Sequence, residues 1–363
     1  MLPFNVSALE FASNAKSAIL LEPTTGEIIF EKNAHDRYAP ASMTKMMSML
    51  LIIENIEKGA IKWDDIVTVS SNASGMGGSQ ILLETNEKMS VKDLFKGIGI
   101  ASGNDAVVAM AEYIAGTEAN FVTLMNEKAK ELNLKNTNFK NSHGLDAANH
   151  YSSAYDMAMI AKELVKYDEV LEITKIYDTY LRENLSTKIW LVNTNKLVKF
   201  YDGVDGLKTG YTSSAGYCLT ATAKKDDTRV IAVVMGEPDS KTRNKEVSEM
   251  FDYVFAQYKV DVILDENSVI ETIELDRAKI EKVNIVPLTK VTRFRKKIDE
   301  IKESNYKLEL DEFKLPIKKG DVVGRLIIDN NRTVLVTVSE DIDKANIFEL
   351  FMRYLNDVIS FKL

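Results

Sequence analysis

The segment Met46-Met47-Ser48-Met49-Leu50-Leu51-Ile52-Ile53 leaves almost no polar face on the helix it would form. A helix apolar on nearly every side has to sit inside a protein, wrapped by other elements. The helical pattern runs from Ser42 to Lys58, with charges returning at its end and Gly59 as a stop. The chain must therefore build a fold large enough to enclose it. Its 363 residues, 45% of them hydrophobic, can supply at least one large core, and the length suggests two domains.

Charge narrows the function classes. Lys and Arg number 46 against 54 Asp and Glu, a net charge of -8 with no long basic run, which argues against nucleic acid as a partner. No uncharged apolar run approaches the roughly 18 residues of a bilayer-spanning helix. Cys218 is the single cysteine, which excludes an internal disulfide and any multi-cysteine metal or redox site. His35, His143 and His150 are too few and too scattered for a typical zinc enzyme, so neither metal nor cofactor is expected. The loop Gly75-Met76-Gly77-Gly78 reads as a turn rather than a phosphate cradle.

The pattern along the chain is α+β. Residues 1–16 lack the basic start of a secretory signal and read as a leader remnant or a disordered arm. Ser17-Ala-Ile-Leu-Leu21 and Glu27-Ile-Ile-Phe30 flank Pro23-Thr-Thr-Gly26 as a hairpin. Residues 90–134 read as two or three helices with a loop at Ala101-Ser-Gly-Asn104, and residues 152–175 are helical again. Strand-like runs at 206–209, 216–224 and 229–236 precede a helix over 243–259. Residues 17–259 thus combine one sheet, made from both ends of the segment, with a helical block between them. Residues 260–340 alternate over short runs and predict a small all-β domain.

Residues 341–363 end the chain as an amphipathic helix. Ile347, Leu350, Phe351, Tyr354, Leu355 and Val358 fall on one side, and Glu349, Arg353, Asn356, Asp357 and Ser360 on the other. Phe348, Phe351, Met352 and Phe361 make the apolar side bulky. Such a helix either docks on its own domain or a partner, or lies in a membrane interface.

Three short motifs carry the chemistry: Ser42-Met-Thr-Lys45, Ser102-Gly-Asn104 and Lys208-Thr-Gly210. Each alone is weak, since Ser42 could be a helix cap, Ser102-Gly-Asn104 a turn and Lys208-Thr-Gly210 a strand end. Their placement sharpens them. At i and i+3 on a helix, Ser42 and Lys45 share a face, about 60° apart, so the amine can reach the hydroxyl. Serine needs something to take its proton. With no histidine in a usual serine-hydrolase setting, lysine is the available base. A neutral lysine requires burial or a second cation nearby, and Lys208 is the natural one. The helix N-terminus at Ser42 also offers backbone N–H groups to a developing oxyanion.

The ordered motifs resemble those of the low-molecular-mass penicillin-binding proteins that are D-alanyl-D-alanine carboxypeptidases, serine peptidases of the S11 type. The likeness extends to Ala39-Pro-Ala-Ser-Met-Thr-Lys-Met46, Ala101-Ser-Gly-Asn-Asp-Ala106, Asn141-Ser-His-Gly-Leu-Asp146, Tyr151-Ser-Ser-Ala-Tyr-Asp-Met157 and Gly203-Val-Asp-Gly-Leu-Lys-Thr-Gly-Tyr-Thr212. It implies a β-lactamase/DD-peptidase-like catalytic domain: an antiparallel sheet flanked by helices, with a helical lobe. The β-rich domain and terminal helix match the family's usual layout.

The resemblance also implies roles. Ser42 would attack the carbonyl between two terminal D-alanines and Lys45 would be the base. Ser102 would relay a proton to the leaving D-alanine, and Asn104 would hold the donor peptide and Lys45. Lys208 would supply the field, while Thr209 and Gly210, helped by Arg243, would meet the terminal carboxylate. The backbone N–H groups of Ser42 and Tyr211 would form the oxyanion hole. His143 would stand behind the site or be structural. The implied partners are peptidoglycan stem peptides as substrate, β-lactams as covalent inhibitors, and a membrane surface met through residues 343–363, outside the cytoplasmic membrane. No Glu-x-x-Leu-Asn loop lies between Asn104 and Lys208, which disfavours a β-lactamase. An esterase and a non-catalytic cell-wall scaffold are the remaining alternatives.

Overall fold

In the computed structural model, which describes residues 10–300, 304–312, 314–329 and 332–359, the chain divides into two compact units between Gln257 and Tyr258. In the first, strands β1 (Ser17–Leu21) and β2 (Ile28–Lys32) form the expected hairpin. Its turn closes because the Glu22 carboxylate accepts the N–H groups of Thr24 and Thr25 at 2.8 and 2.6 Å. Strands β3 (Val204–Thr212), β4 (Gly216–Lys225) and β5 (Thr228–Glu237) complete a five-stranded antiparallel sheet of order β2-β1-β5-β4-β3. Every residue of β1 is buried, as its near-continuous apolar run requires.

The helical block lies between those strands in sequence. Helix α1 (Lys45–Glu57) is buried from Lys45 through Ile53, confirming the inside position that its composition demands. Around it stand α2 (Val91–Gly99), α3 (Asn104–Ala115), α4 (Glu118–Glu131) and α5 (Ala154–Leu164). Three of these start at side-chain caps. The hydroxyls of Ser90, Thr117 and Ser153 each accept the N–H three residues on. Helix α6 (Ser240–Gln257) closes the unit.

Two expectations need correcting. Ser42 does not open α1; it lies in a 3-10 turn, Ala41–Thr44, and the α-helix begins at Lys45. Residues 11–16 are not a free arm. The Phe11 ring packs 5.5 Å from that of Phe30 and 5.1 Å from that of Tyr253. The Lys16 N–H donates to Met235 O at 2.9 Å, prolonging the β1 ladder. An aromatic ring and a ladder bond dock this segment. Residues 1–9 lie outside the described residues.

In the second unit, strands Glu271–Glu274, Lys282–Pro287, Arg332–Val338, Gly324–Ile328 and Tyr306–Leu310 lie in that order across an antiparallel sheet. Val283, Ile285, Leu326, Ile328, Val336 and Val338 fill its buried side. Helix α7 (Ile347–Ile359) follows, started by a reciprocal cap: the Glu349 N–H donates to Asn346 Oδ1 at 2.9 Å and the Asn346 N–H to Glu349 Oε2 at 2.8 Å. Its apolar face is uncovered, Ile347 being 87%, Phe348 71% and Phe351 61% exposed. The predicted Ser360 and Phe361 lie outside the described residues.

Candidate active site

The turn that carries Ser42 is held in an unusual backbone shape. Ala41 has φ +48°, a left-handed value that alanine adopts only at a cost. Gly144, at φ +95°, presses its backbone against this turn, and a Cβ there would stand 1.9 Å from the Ala41 carbonyl oxygen. Gly210 approaches from the other side; a Cβ on it would meet Pro40 O at 2.8 Å. Glycine at both positions lets β3 and the 141–146 segment close on the turn.

Lys45 is fully buried, and its Nζ donates to Ser42 Oγ at 3.0 Å and to the His143 carbonyl at 2.7 Å. Burial holds its ammonium pKa well below the ordinary lysine value, the positive Lys208 adds to this, and Asp105 opposes it. Lys208, on β3, donates to Thr209 O at 3.1 Å. Burial and then the nearby Arg243 push its own pKa down to about 7. Two lysines that repel each other in a dry site leave at least one able to be neutral near pH 7.

A cleft of about 460 Å³ opens over Ser42, and Ser79, Ser102, Thr209, Arg243 and Asn244 share its walls. Ser102 lies at φ +66° in the loop before α3, and its buried hydroxyl has no hydrogen-bond partner among the described residues. A buried hydroxyl left unpaired is costly to folding. Thr209 Oγ1 donates to Thr194 Oγ1 at 2.7 Å. Arg243, on the first turn of α6, is buried and donates through Nε and Nη2 to Asn244 Oδ1 at 3.1 and 2.9 Å. Tyr211 is more than half exposed, its ring 4.4 Å from that of Tyr217.

Asn104 departs from expectation. Its Nδ2 donates to the Gly77 carbonyl at 2.7 Å rather than meeting Lys45, and its N–H donates to Ser79 O at 2.7 Å. Asp105 adds to the clamp, its carboxylate accepting the N–H groups of Ile81 and Leu83. The glycine-rich loop, read from sequence as a mere turn, is thus tied to α3 and carries Ser79 into the cleft wall. His143 contributes through its backbone carbonyl. Its ring Nδ1 accepts the Leu145 N–H at 3.1 Å, and burial, helped by Lys45, holds the imidazole neutral with a pKa of about 4.

Sequence reasoning passed over His150. Its Nδ1 accepts the Lys140 N–H at 2.9 Å, so Nε2 carries the proton and donates to Thr44 Oγ1 at 2.8 Å, beside the nucleophile turn. Burial keeps this ring neutral as well, with a pKa of about 4. No spacing rule links positions 44 and 150.

A second buried cluster lies behind Arg243. Glu237, at the end of β5, is pushed up to about 8, first by burial and then by Glu246 on α6. Glu246 Oε1 accepts from Asn14 Nδ2 at 2.6 Å and from the Asn14 N–H at 3.1 Å. The opposite shifts favour a protonated Glu237 beside an ionised Glu246, one proton for the two carboxyl groups. Glu237 binds that proton more tightly folded than unfolded, so its contribution to stability is full below the ordinary value of 4.5 and is lost as pH rises toward 8. Glu237→Gln is therefore expected to raise the melting temperature of the catalytic unit at pH 8, by roughly 2–4 °C per kcal/mol recovered, with the gain vanishing near pH 5. Calorimetry at the two pH values checks this; an equal gain at both would refute the shared proton.

Comparison with known proteins agrees with this architecture. A family model described as D-alanyl-D-alanine carboxypeptidase matches residues 4–239. The chain is 48% identical over 358 residues to the D-alanyl-D-alanine carboxypeptidase DacF of Bacillus subtilis, covering 97% of this chain and 92% of that protein. Its fold matches penicillin binding protein 5 of Haemophilus influenzae with a TM-score of 0.73 at 32% identity, over 93% of this chain and 99% of the other. Penicillin binding protein 6B of Escherichia coli aligns with a TM-score of 0.70 at 31% identity, over 93% and 98% of the two chains. An antiparallel sheet flanked by helices and a following all-β domain recur in these structures. On that identity, sustained along almost its whole length, the chain belongs to the D-alanyl-D-alanine carboxypeptidase family.

Proposed function

We propose that this serine-type D-alanyl-D-alanine carboxypeptidase works through an acyl-enzyme on Ser42, formed from peptidoglycan stem peptides that end in two D-alanines. The observation that carries this reading is the 3.0 Å hydrogen bond between Ser42 Oγ and the buried Lys45 Nζ. Neutral Lys45 takes the Ser42 proton as Oγ attacks the penultimate carbonyl. The tetrahedral oxyanion falls to the backbone N–H groups of Ser42 and Tyr211. The C–N bond then breaks, leaving an ester on Ser42, and Ser102 passes a proton to the departing amine. Water hydrolyses the ester in a second step. Lys208, Thr209 and Arg243 provide the cationic, hydrogen-bonding end of the cleft that fits a terminal carboxylate. Asn104 supports the site by fixing the wall loop.

A β-lactam enters the same steps differently. Attack opens its ring, but the amine formed stays tethered to the acyl group, and no Glu-x-x-Leu-Asn loop lies between Asn104 and Lys208 to position the water that would hydrolyse the ester. The drug therefore remains on the serine. The proposed site of action is the outer face of the cytoplasmic membrane, with α7 lying on the lipid surface through its uncovered apolar face. Among the described residues no helix is long and apolar enough to cross a membrane.

Mixing the protein with benzylpenicillin and weighing it intact, while assaying D-alanine release from a peptide ending in D-Ala-D-Ala, tests the reading. A lasting adduct on Ser42 with D-alanine release is the expected result, and Ser42→Ala is expected to lose both. An adduct that survives at full strength in Ser42→Ala would place the nucleophile elsewhere.

A further inference from the structure

A cavity of about 530 Å³ lies in the second unit, lined by Leu275, Asp276, Arg277, Lys314, Leu315 and Lys344, none of which lines the catalytic cleft. Three backbone segments converge to build it. The Ala345 N–H donates to Arg277 O and the Lys279 N–H to Asp343 O, both at 2.9 Å, while Ile317 and Ile342 exchange bonds at 3.0 and 2.8 Å. The convergence brings three cations to one mouth against, among the described residues, a single acid, Asp276. None of the three cationic side chains has an ion pair or a side-chain hydrogen bond among the described residues. Elsewhere in this unit the arginines Arg295, Arg325 and Arg353 pair with Asp261, Glu309 and Glu281.

The same segment holds helix α7. Arg353 reaches back from it to donate to the carbonyls of Asp276, Ala278 and Lys279 at 3.1, 2.8 and 3.2 Å, and pairs with Glu281 at 3.0 Å. Lys344, on the cavity rim, is separated from the helix by only two residues. The cavity and α7 are thus held against the same segment, residues 276–281. An anion alone would satisfy the cations, and an apolar partner alone would cover the helix; an anionic amphiphile does both.

We propose that this cavity is a binding site for the phosphate headgroup of an anionic phospholipid, held by Arg277, Lys314 and Lys344 beside α7. The assignment rests on the reading of α7 as a lipid-facing helix and adds lipid selectivity to it. Each basic side chain near an anionic surface strengthens binding enough that neutralising three lowers affinity for anionic vesicles by about a hundredfold. Screening by salt acts on this component and spares the apolar one.

The test is flotation of the full chain with phosphatidylcholine vesicles and with vesicles of phosphatidylcholine mixed with phosphatidylglycerol. The variant combines Arg277→Gln, Lys314→Gln and Lys344→Gln, and an unchanged circular dichroism spectrum and melting profile show it to be folded. The parent is expected to bind the anionic vesicles about a hundredfold more tightly than the neutral ones, and the variant to bind both equally weakly. Equal binding of the parent to both vesicles, or an anionic preference that persists in the variant, overturns the headgroup site while leaving α7 a lipid-facing helix. No flotation of the parent with either vesicle overturns the lipid-facing reading itself. Capture of a soluble glycerol-phosphate polymer through the three cations, with vesicle binding unchanged by their loss, makes the cavity a polymer site and overturns the lipid assignment.

Discussion

Lys45→Met is expected to lower D-alanine release by roughly 10³–10⁴-fold and to slow benzylpenicillin acylation as much, without unfolding the protein. Among the described residues Lys45 Nζ has two partners, Ser42 Oγ and the His143 carbonyl, and no other base bonds the Ser42 hydroxyl. Methionine fills the buried shaft with similar volume but takes no proton. Since burial of the amine disfavours its charged form, the variant is expected to melt at the same temperature or higher. Lys45→Arg separates two roles. Arginine keeps a cation beside Ser42 but cannot be a base at working pH, so it too is expected to be inactive. Acylation by Lys45→Arg at even a tenth of the parent rate would show that the position supplies field rather than proton transfer.

The second large effect is expected from Gly144→Ala, at a residue with no chemistry of its own. Its added Cβ would lie 1.9 Å from Ala41 O and 2.4 Å from Ala41 C, both backbone atoms that no rotamer change can move. The 141–146 segment must withdraw, and it takes with it the His143 carbonyl that holds Lys45. A loss on the order of 3 kcal/mol in stability is expected, from clash and strained φ together. Acylation of whatever remains folded is expected to fall at least tenfold. Gly59→Ala serves as the control, because Gly59 has φ +71° but nothing within 4 Å of its added Cβ. It should cost only about 1 kcal/mol, the price of the left-handed backbone, and leave acylation unchanged. Equal effects of the two substitutions would mean that the contact with Ala41 is unimportant.

The parts of the site that local spacing controls could be read from the sequence. Ser42 and Lys45 sit three residues apart in either a 3-10 or an α-turn, so their contact survives the change of helix type. Burial of α1 followed from its composition, and the strands from their alternation and turns. What could not be read depends on contacts that no local period sets, over separations from nine residues between Glu237 and Glu246 to 106 between Thr44 and His150. Asn104 was assigned to Lys45 on resemblance, yet Gly77 offers its carbonyl at 2.7 Å and takes the amide. His150 meets Thr44 only because two loops cross. The Glu237 and Glu246 pair, on a strand end and the next helix, carries no sequence signature, since most glutamates at such places face solvent.

Strand order has a consequence for how the protein is made. Ser17 lies opposite Met235 in the sheet, and β1 stands between β2 and β5. The first strand synthesised thus waits for the last one of its domain. Until Glu237 has left the ribosome the hairpin is an apolar ribbon without a sheet, and Ser42 faces no Lys208. Such high contact order makes folding slow and nearly all-or-none, with no active partial product. A chain that cannot close early also stays open until its last strand arrives, which would suit the action proposed above outside the cytoplasmic membrane.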